Sequence, residues 1–102
     1  MKGISKQRVV EANSINLINY LKETDASSFR ERKNGTIVYV PNDSLVIWAD
    51  HSYDFGTVQH PYKDAIGTIR MLYDYSFEEA ITKLEEYNHN HTVPIPQYTL
   101  FE

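Results

Sequence analysis

The chain contains no cysteine. A disulfide framework and a thiolate-held structural zinc are both excluded, so stability must come from packing alone. Glycine is scarce and scattered, at four residues among 102, which leaves no Gly-rich loop to cradle a phosphate. Long hydrophobic runs are missing too. No stretch approaches the roughly 20 apolar residues of a membrane span, and the opening MKGISKQRVVEANS places basic residues ahead of no apolar segment. The expected location is the cytoplasm, without a membrane partner. A chain of this length is expected to form one domain around one core, with no room for a large cofactor cleft.

What is abundant is aromatic: eight Tyr, four Phe and one Trp. Such rings fill the core of a short chain economically, or serve when exposed as stacking platforms for bases or a partner. Composition alone favours the core. Charge is unevenly spread: residues 1–40 hold seven basic and four acidic side chains, and the remainder three basic and ten acidic. The net charge of -4 and pI near 5.5 argue against a dedicated duplex binder, yet leave space for a local basic face.

Helical spacing of Val9, Val10 and Ala12, then of Ile15, Leu17, Ile18 and Leu21, predicts two short helices, with Asn13-Ser14 between them as an N-cap pair. Asn34-Gly35 predicts a tight two-residue hairpin turn between strands at 28–32 and 36–40. A third strand is expected at Ser44–Trp48, and a short one near Tyr53–Phe55. From Asp64 the period becomes helical through Ala65, Ile66, Ile69, Leu72 and Tyr73, ending near Asp74-Tyr75. Ser76-Phe77-Glu78-Glu79 reads as a capping box for a last helix. Its buried stripe is expected at Phe77, Ala80, Ile81, Leu84 and Tyr87, with Asn88–His91 ending it. Prolines 94 and 96 keep the following tail extended. The expected class is α+β: a small antiparallel sheet of three or four strands, N-terminal helices and two C-terminal helices. Residues 1–91 form the module and 92–102 a flexible tail.

Candidate chemistry is sparse. GxSxG, HExxH and phosphate-loop patterns are all missing. Asp50-His51-Ser52 holds the residue types of a triad, but neighbours on an extended segment point to opposite faces. His51, His60, His89 and His91, with Asp50 or Asp54, could ligate a metal, yet without thiolates or fixed spacing the signal is weak. No catalytic residue, metal or cofactor is expected, and the chain is read as a non-enzyme.

Asp64-Ala65-Ile66 followed by Ser76-Phe77-Glu78-Glu79-Ala80-Ile81 resembles the end of the zinc-binding domain of bacterial primases. In that family a Gly-Asp-Ala-Ile helix precedes a Ser-Phe-x-Glu-Ala helix. Val9–Ala12 and Ile15–Leu21 look like that domain's opening helices, Gly35–Tyr39 like its first long strand, and Ser44–Val46 like the strand after its first ligand pair. The resemblance covers roughly residues 8–88 and implies a zinc-ribbon-like fold without zinc. The two knuckle segments here read Val40–Asp43 and Phe55–Lys63, with no thiolate. Asp43-Ser44-Leu45 and Trp48-Ala49-Asp50-His51-Ser52 are similar to segments of metal-free relatives in replication and mobilisation proteins of Gram-positive bacteria and their mobile elements. In this chain the aromatics Tyr53, Phe55 and Tyr62 are expected to replace the metal as glue.

The primase domain binds template and makes no bonds itself. The resemblance therefore implies a non-catalytic replication accessory subunit that binds single-stranded DNA beside a polymerase or primase catalytic subunit on another polypeptide, supporting primer initiation. Backbone contacts are expected from Arg30, Arg32 and Lys33, and base contacts from Tyr39 and Trp48; the same residues could simply alternate between solvent and core. Gln97-Tyr98-Thr99-Leu100-Phe101 resembles the pentapeptide by which bacterial replication proteins bind the sliding clamp, with Tyr98 departing from its usual Leu. That resemblance assigns Gln97, Leu100 and Phe101 to the clamp. The alternative function is a protein-interaction adaptor linking a replication enzyme to the clamp without touching DNA. If the tail motif acts this way, deleting residues 97–102 abolishes binding to a sliding clamp in a pull-down; unchanged binding refutes it.

Overall fold

Ser5 opens the first helix, its hydroxyl accepting the Arg8 N–H at 3.2 Å, and the helix α1 runs Lys6–Asn13. In the computed structural model, residues 4–92 are described. Helix α2, Leu17–Thr24, is capped by Asn16, whose side chain accepts the Asn19 N–H at 3.0 Å. The cap is therefore Asn16, not the Asn13-Ser14 pair, because Ser14 closes α1 as its C-cap. After a 3-10 turn at Ala26–Ser28 come five strands: β1 Phe29–Glu31, β2 Ile37–Tyr39, β3 Asn42–Ile47, β4 His51–Asp54 and β5 Tyr62–Asp64. Helices α3, Ala65–Tyr73, and α4, Phe77–Thr92, finish the described chain. The class is α+β as expected, with five strands where the sequence pattern suggests three or four.

The strands pair antiparallel in chain order, β1-β2-β3-β4-β5. Between β1 and β2 the Gly35 N–H donates to the Arg32 carbonyl at 3.1 Å and the Arg32 N–H to the Thr36 carbonyl at 2.9 Å. Of the turn residues only Gly35 has a positive φ, +91°. This is the three-residue hairpin, a turn followed by one left-handed residue, and not the two-residue form, which needs positive φ at both Asn and Gly. The β2–β3 register jumps between Val38, opposite Val46, and Tyr39, opposite Asn42, so Asp43–Leu45 bulges.

One face of the sheet carries the core. Ile37, Leu45 and Ile47 pack with Leu17, Leu21, Ile66, Ile69, Ile81 and Leu84 from the helices, removing most of their apolar area from water. Ser52 on β4 bonds Thr68 on α3, oxygen to oxygen at 2.7 Å, with both side chains fully buried. Burial pushes the Tyr20 hydroxyl up to about 12. Tyr73 is raised still further, first by burial and then by its bond to Asp25, 2.7 Å. Phe77, expected in the buried stripe, is 41% exposed, and Val10 on α1 is 65% exposed. Phe77 is the first residue of α4, ahead of the turn that docks, and the Arg70 guanidinium sits over its ring at 5.9 Å. The Ser76 hydroxyl accepts the Glu79 N–H at 3.1 Å, the N-cap half of the expected capping box. Asn88–His91 lie within α4, whose described span reaches Thr92. No described helix is long and apolar enough to cross a membrane.

Asn13 and Asp64 join the layers. Asp64 ends β5 and caps α3, taking the Gly67 N–H at 2.8 Å; its other oxygen accepts the Asn13 amide at 3.1 Å, while Asn13 Oδ1 accepts the Ile66 N–H at 3.0 Å. Arg8 binds Glu85 through two nitrogens, each at 2.8 Å, tying α1 to α4. Replacing Asn13 with Ala strands the Ile66 amide and frees the Asp64 carboxylate, an expected loss of about 1–2 kcal/mol. Urea denaturation measures it, and a change within experimental scatter would show that the bond is dispensable.

Candidate nucleic-acid interface

Register and alternation define what the other face presents. Arg30 lies opposite Val38, Val38 opposite Val46, Val46 opposite Tyr53, and Tyr53 opposite Tyr62. Paired residues share a face, so this row crosses all five strands on the side away from the helices. Val38 and Val46 are buried at its centre although neither belongs to the helix-packed core. The ends are open: Arg30 is exposed, Tyr53 is 36% and Tyr62 58% exposed.

Above the row lies a pile of rings. Trp48 stacks on His51 with centroids 4.7 Å apart and planes 6° from parallel; His51 stacks on Tyr62 at 5.2 Å and 19°. A tight turn sets this up, the Trp48 N–H donating to the His51 carbonyl at 2.8 Å. Tyr53 packs against Phe55 at 4.7 Å, and Phe55 is 65% exposed. Arg32, two residues beyond Arg30, falls on the same side by strand alternation. Lys33 occupies the hairpin turn, and both side chains are exposed.

Of the sequence-expected contacts, Arg30, Arg32 and Trp48 thus share the open face, with Lys33 at its corner. Tyr39 does not. It packs against the helix-covered core beside Phe29, ring centroids 5.4 Å apart, because it follows Val38 and so points the opposite way. His51, Tyr53 and Tyr62 complete the platform; sequence reading had placed the tyrosines in a knuckle and His51 in a triad or metal site. Only strand register, which a lone sequence does not state, could have gathered them. Gln97, Leu100 and Phe101 lie outside the described residues.

The other candidate chemistries do not assemble. His51 Nδ1 is 2.6 Å from Asp50 Oδ1, but Ser52 turns to Thr68 on the opposite face, so Asp50-His51-Ser52 is not a triad. Among the described residues no cluster of three or more acidic or His side chains is placed to hold a metal ion.

The two segments read as knuckles are instead joined by hydrogen bonds at Asp54. Its Oδ1 accepts the Ser44 hydroxyl at 2.7 Å and the Gly56 N–H at 2.9 Å, and its Oδ2 the Asn42 amide at 3.3 Å. The Phe55 N–H donates to the Ser44 carbonyl at 2.9 Å. A Cβ on Gly56 would stand 2.6 Å from the Ser44 hydroxyl oxygen, so only glycine permits this approach. The aromatic glue expected there is partial: Tyr53 and Phe55 touch, while Tyr62 belongs to the Trp48 pile.

No protein-family model matches the chain, and neither curated proteins nor solved structures yield a match.

The Ser44 hydroxyl, then the Gly56 amide, hold the Asp54 carboxyl below the usual range. A carboxyl depressed on folding stabilises fully above its unfolded value, and that contribution disappears as pH falls through the folded one. Asp54→Asn is expected to cost about 1 kcal/mol at neutral pH and to converge with the parent protein in acid. A cost that stays constant in denaturation curves from pH 7 to pH 3 would contradict this role.

Proposed function

We propose that this protein is a non-catalytic replication accessory subunit, holding single-stranded template on its open sheet face beside a polymerase or primase catalytic subunit on another polypeptide, in support of primer initiation. The row Arg30–Val38–Val46–Tyr53–Tyr62 carries the reading. A strand laid across it meets guanidinium groups for its phosphates at the hairpin and ring faces for unpaired bases at β4 and β5, the two components of sequence-tolerant single-strand binding. A duplex offers no ring faces between its pairs, which favours single strands. The resemblance to primase zinc domains supports the replication setting, and the bulk negative charge is compatible with it. Four of the acidic side chains, Glu78, Glu79, Glu85 and Glu86, ride on α4 in the helical layer, away from the platform.

A second reading is favoured by Phe55 and Val58, 65% and 95% exposed beside the platform. Apolar side chains standing free at a loop suit a protein partner, and the adaptor function needs no DNA.

Fluorescence anisotropy with a labelled oligo-dT separates the two. Tyr53→Ala is expected to weaken binding at least fivefold, since a stacked base contributes about 1–3 kcal/mol. Removing Arg30, Arg32 and Lys33 together should reduce the salt slope of log affinity by about 2. Tyr39→Ala should lower stability and leave the affinity of the folded protein unchanged. No binding at low salt refutes the template reading and leaves the adaptor.

A further inference from the structure

The pile Trp48–His51–Tyr62 contains one titratable group between two aromatic faces. His51 lies parallel to both neighbours, within 19°, and its edge nitrogen Nδ1 is 2.6 Å from the Asp50 carboxylate. Both kinds of neighbour interact better with an imidazolium than with neutral imidazole. The rings attract a cation through their electron-rich faces, and the carboxylate gains a charge-assisted hydrogen bond.

Other charges near the pile do not oppose this. From β5, Asp64 stands opposite His51 in register, but its carboxylate is engaged by Gly67 and Asn13. Lys63 alternates to the other face and donates to the His60 carbonyl at 2.7 Å. From β3 the contact is Trp48 itself, and from β4 the next outward residue is Tyr53. Helix α2 approaches this turn through the uncharged Leu17, whose N–H donates to the Ala49 carbonyl at 2.7 Å. The Asp50 carboxyl lies below its usual range, foremost because of its bond to His51, which is consistent with a favoured ion pair.

We infer that His51 is a proton-operated clasp: when protonated it holds Trp48 and Tyr62 as one continuous stacking surface, and the face grips single-stranded nucleic acid more tightly as His51 gains its proton. The gain in grip rests on the template reading; the clasp itself does not. By linkage, strand binding in turn favours protonation of His51.

Trp48 is the chain's one tryptophan, so indole emission arises at this pile. An imidazolium in ring contact quenches an indole more strongly than a neutral imidazole. Emission of the full chain is followed from pH 8 to pH 5 at fixed ionic strength, alongside anisotropy with labelled oligo-dT, whose bases do not titrate there. The expected result is a one-proton fall in emission and a three- to tenfold tightening of strand binding between pH 7.5 and 5.5. Both should be lost in His51→Phe, which keeps a ring in the pile without a titratable nitrogen. Asp50→Asn, which leaves all three rings in place, should move the emission step to lower pH and serves if the Phe variant does not fold. An emission step that persists in His51→Phe, or that Asp50→Asn does not move, overturns the clasp. Strand affinity equal at both pH values overturns its coupling to binding. If no strand binds at any pH while the emission step is intact, the template reading falls and the clasp stands.

Discussion

Among the described residues the helices cover one side of the sheet, and the rest of the structure follows from that constraint. The five strands are short, the longest having six residues, and a chain of this size has only enough helix to cover one face. Ile37, Leu45, Ile47 and Ser52 turn to that cover. Every alternate residue must therefore find its own accommodation on the other side. Val38 and Val46 do so by burial at the centre of the sheet, and the surrounding positions by rings lying against rings. Aromatic side chains suit this task because each contributes a large contact area with few rotatable bonds. The same choice leaves Phe55 and Tyr62 largely exposed to solvent, at 65% and 58%.

Acidic residues, the chain's charge excess, act mainly as fasteners. Asp25 holds the Tyr73 hydroxyl and the Ser28 hydroxyl. Asp54 holds the β3 bulge to the turn after β4, Asp64 joins β5 to α3 and α1, and Glu85 joins α4 to α1. Glu31 pairs with Lys22 between β1 and α2. Exposed pairs of this kind contribute little each, but the capping carboxylates satisfy helix or turn amides that would otherwise be unpaired. Two of these nodes sit at opposite ends of the β4–β5 pair, Asp54 at the end near Tyr62 and Asp64 where β5 passes into α3. They fix the strands that carry Tyr53 and Tyr62 in a domain that has no disulfide to do so.

Where local chemistry decided the outcome, the sequence could be read directly. Apolar spacing located the N-terminal helices and α3; Asn34-Gly35 located the first hairpin; Ser76 located the start of α4. Errors arose where two local signals competed or where tertiary contacts chose. Asn13, Ser14 and Asn16 are all good caps, and the packing of Leu17 selected Asn16. The helical period starts at Asp64, but that residue also terminates a three-residue strand too short to show alternation. Phe77 fitted the helical stripe, yet at the first position of α4 it precedes the docked turn. The candidate interface was partly legible, because Arg30, Arg32 and Lys33 flank a recognisable hairpin. Tyr39 and Tyr53 could not be told apart by composition: one faces the core and the other solvent, and only the register across β2, β3 and β4 settles which.

The outermost strands, β1 and β5, have three residues each. An open aromatic sheet invites a second sheet to pair with its rim, the route by which such proteins polymerise. Here the rim is too brief to template an added strand, and the sequence places Arg30-Glu31 on one margin and Lys63-Asp64 on the other. Charged, abbreviated margins thus oppose edge-to-edge growth of the sheet.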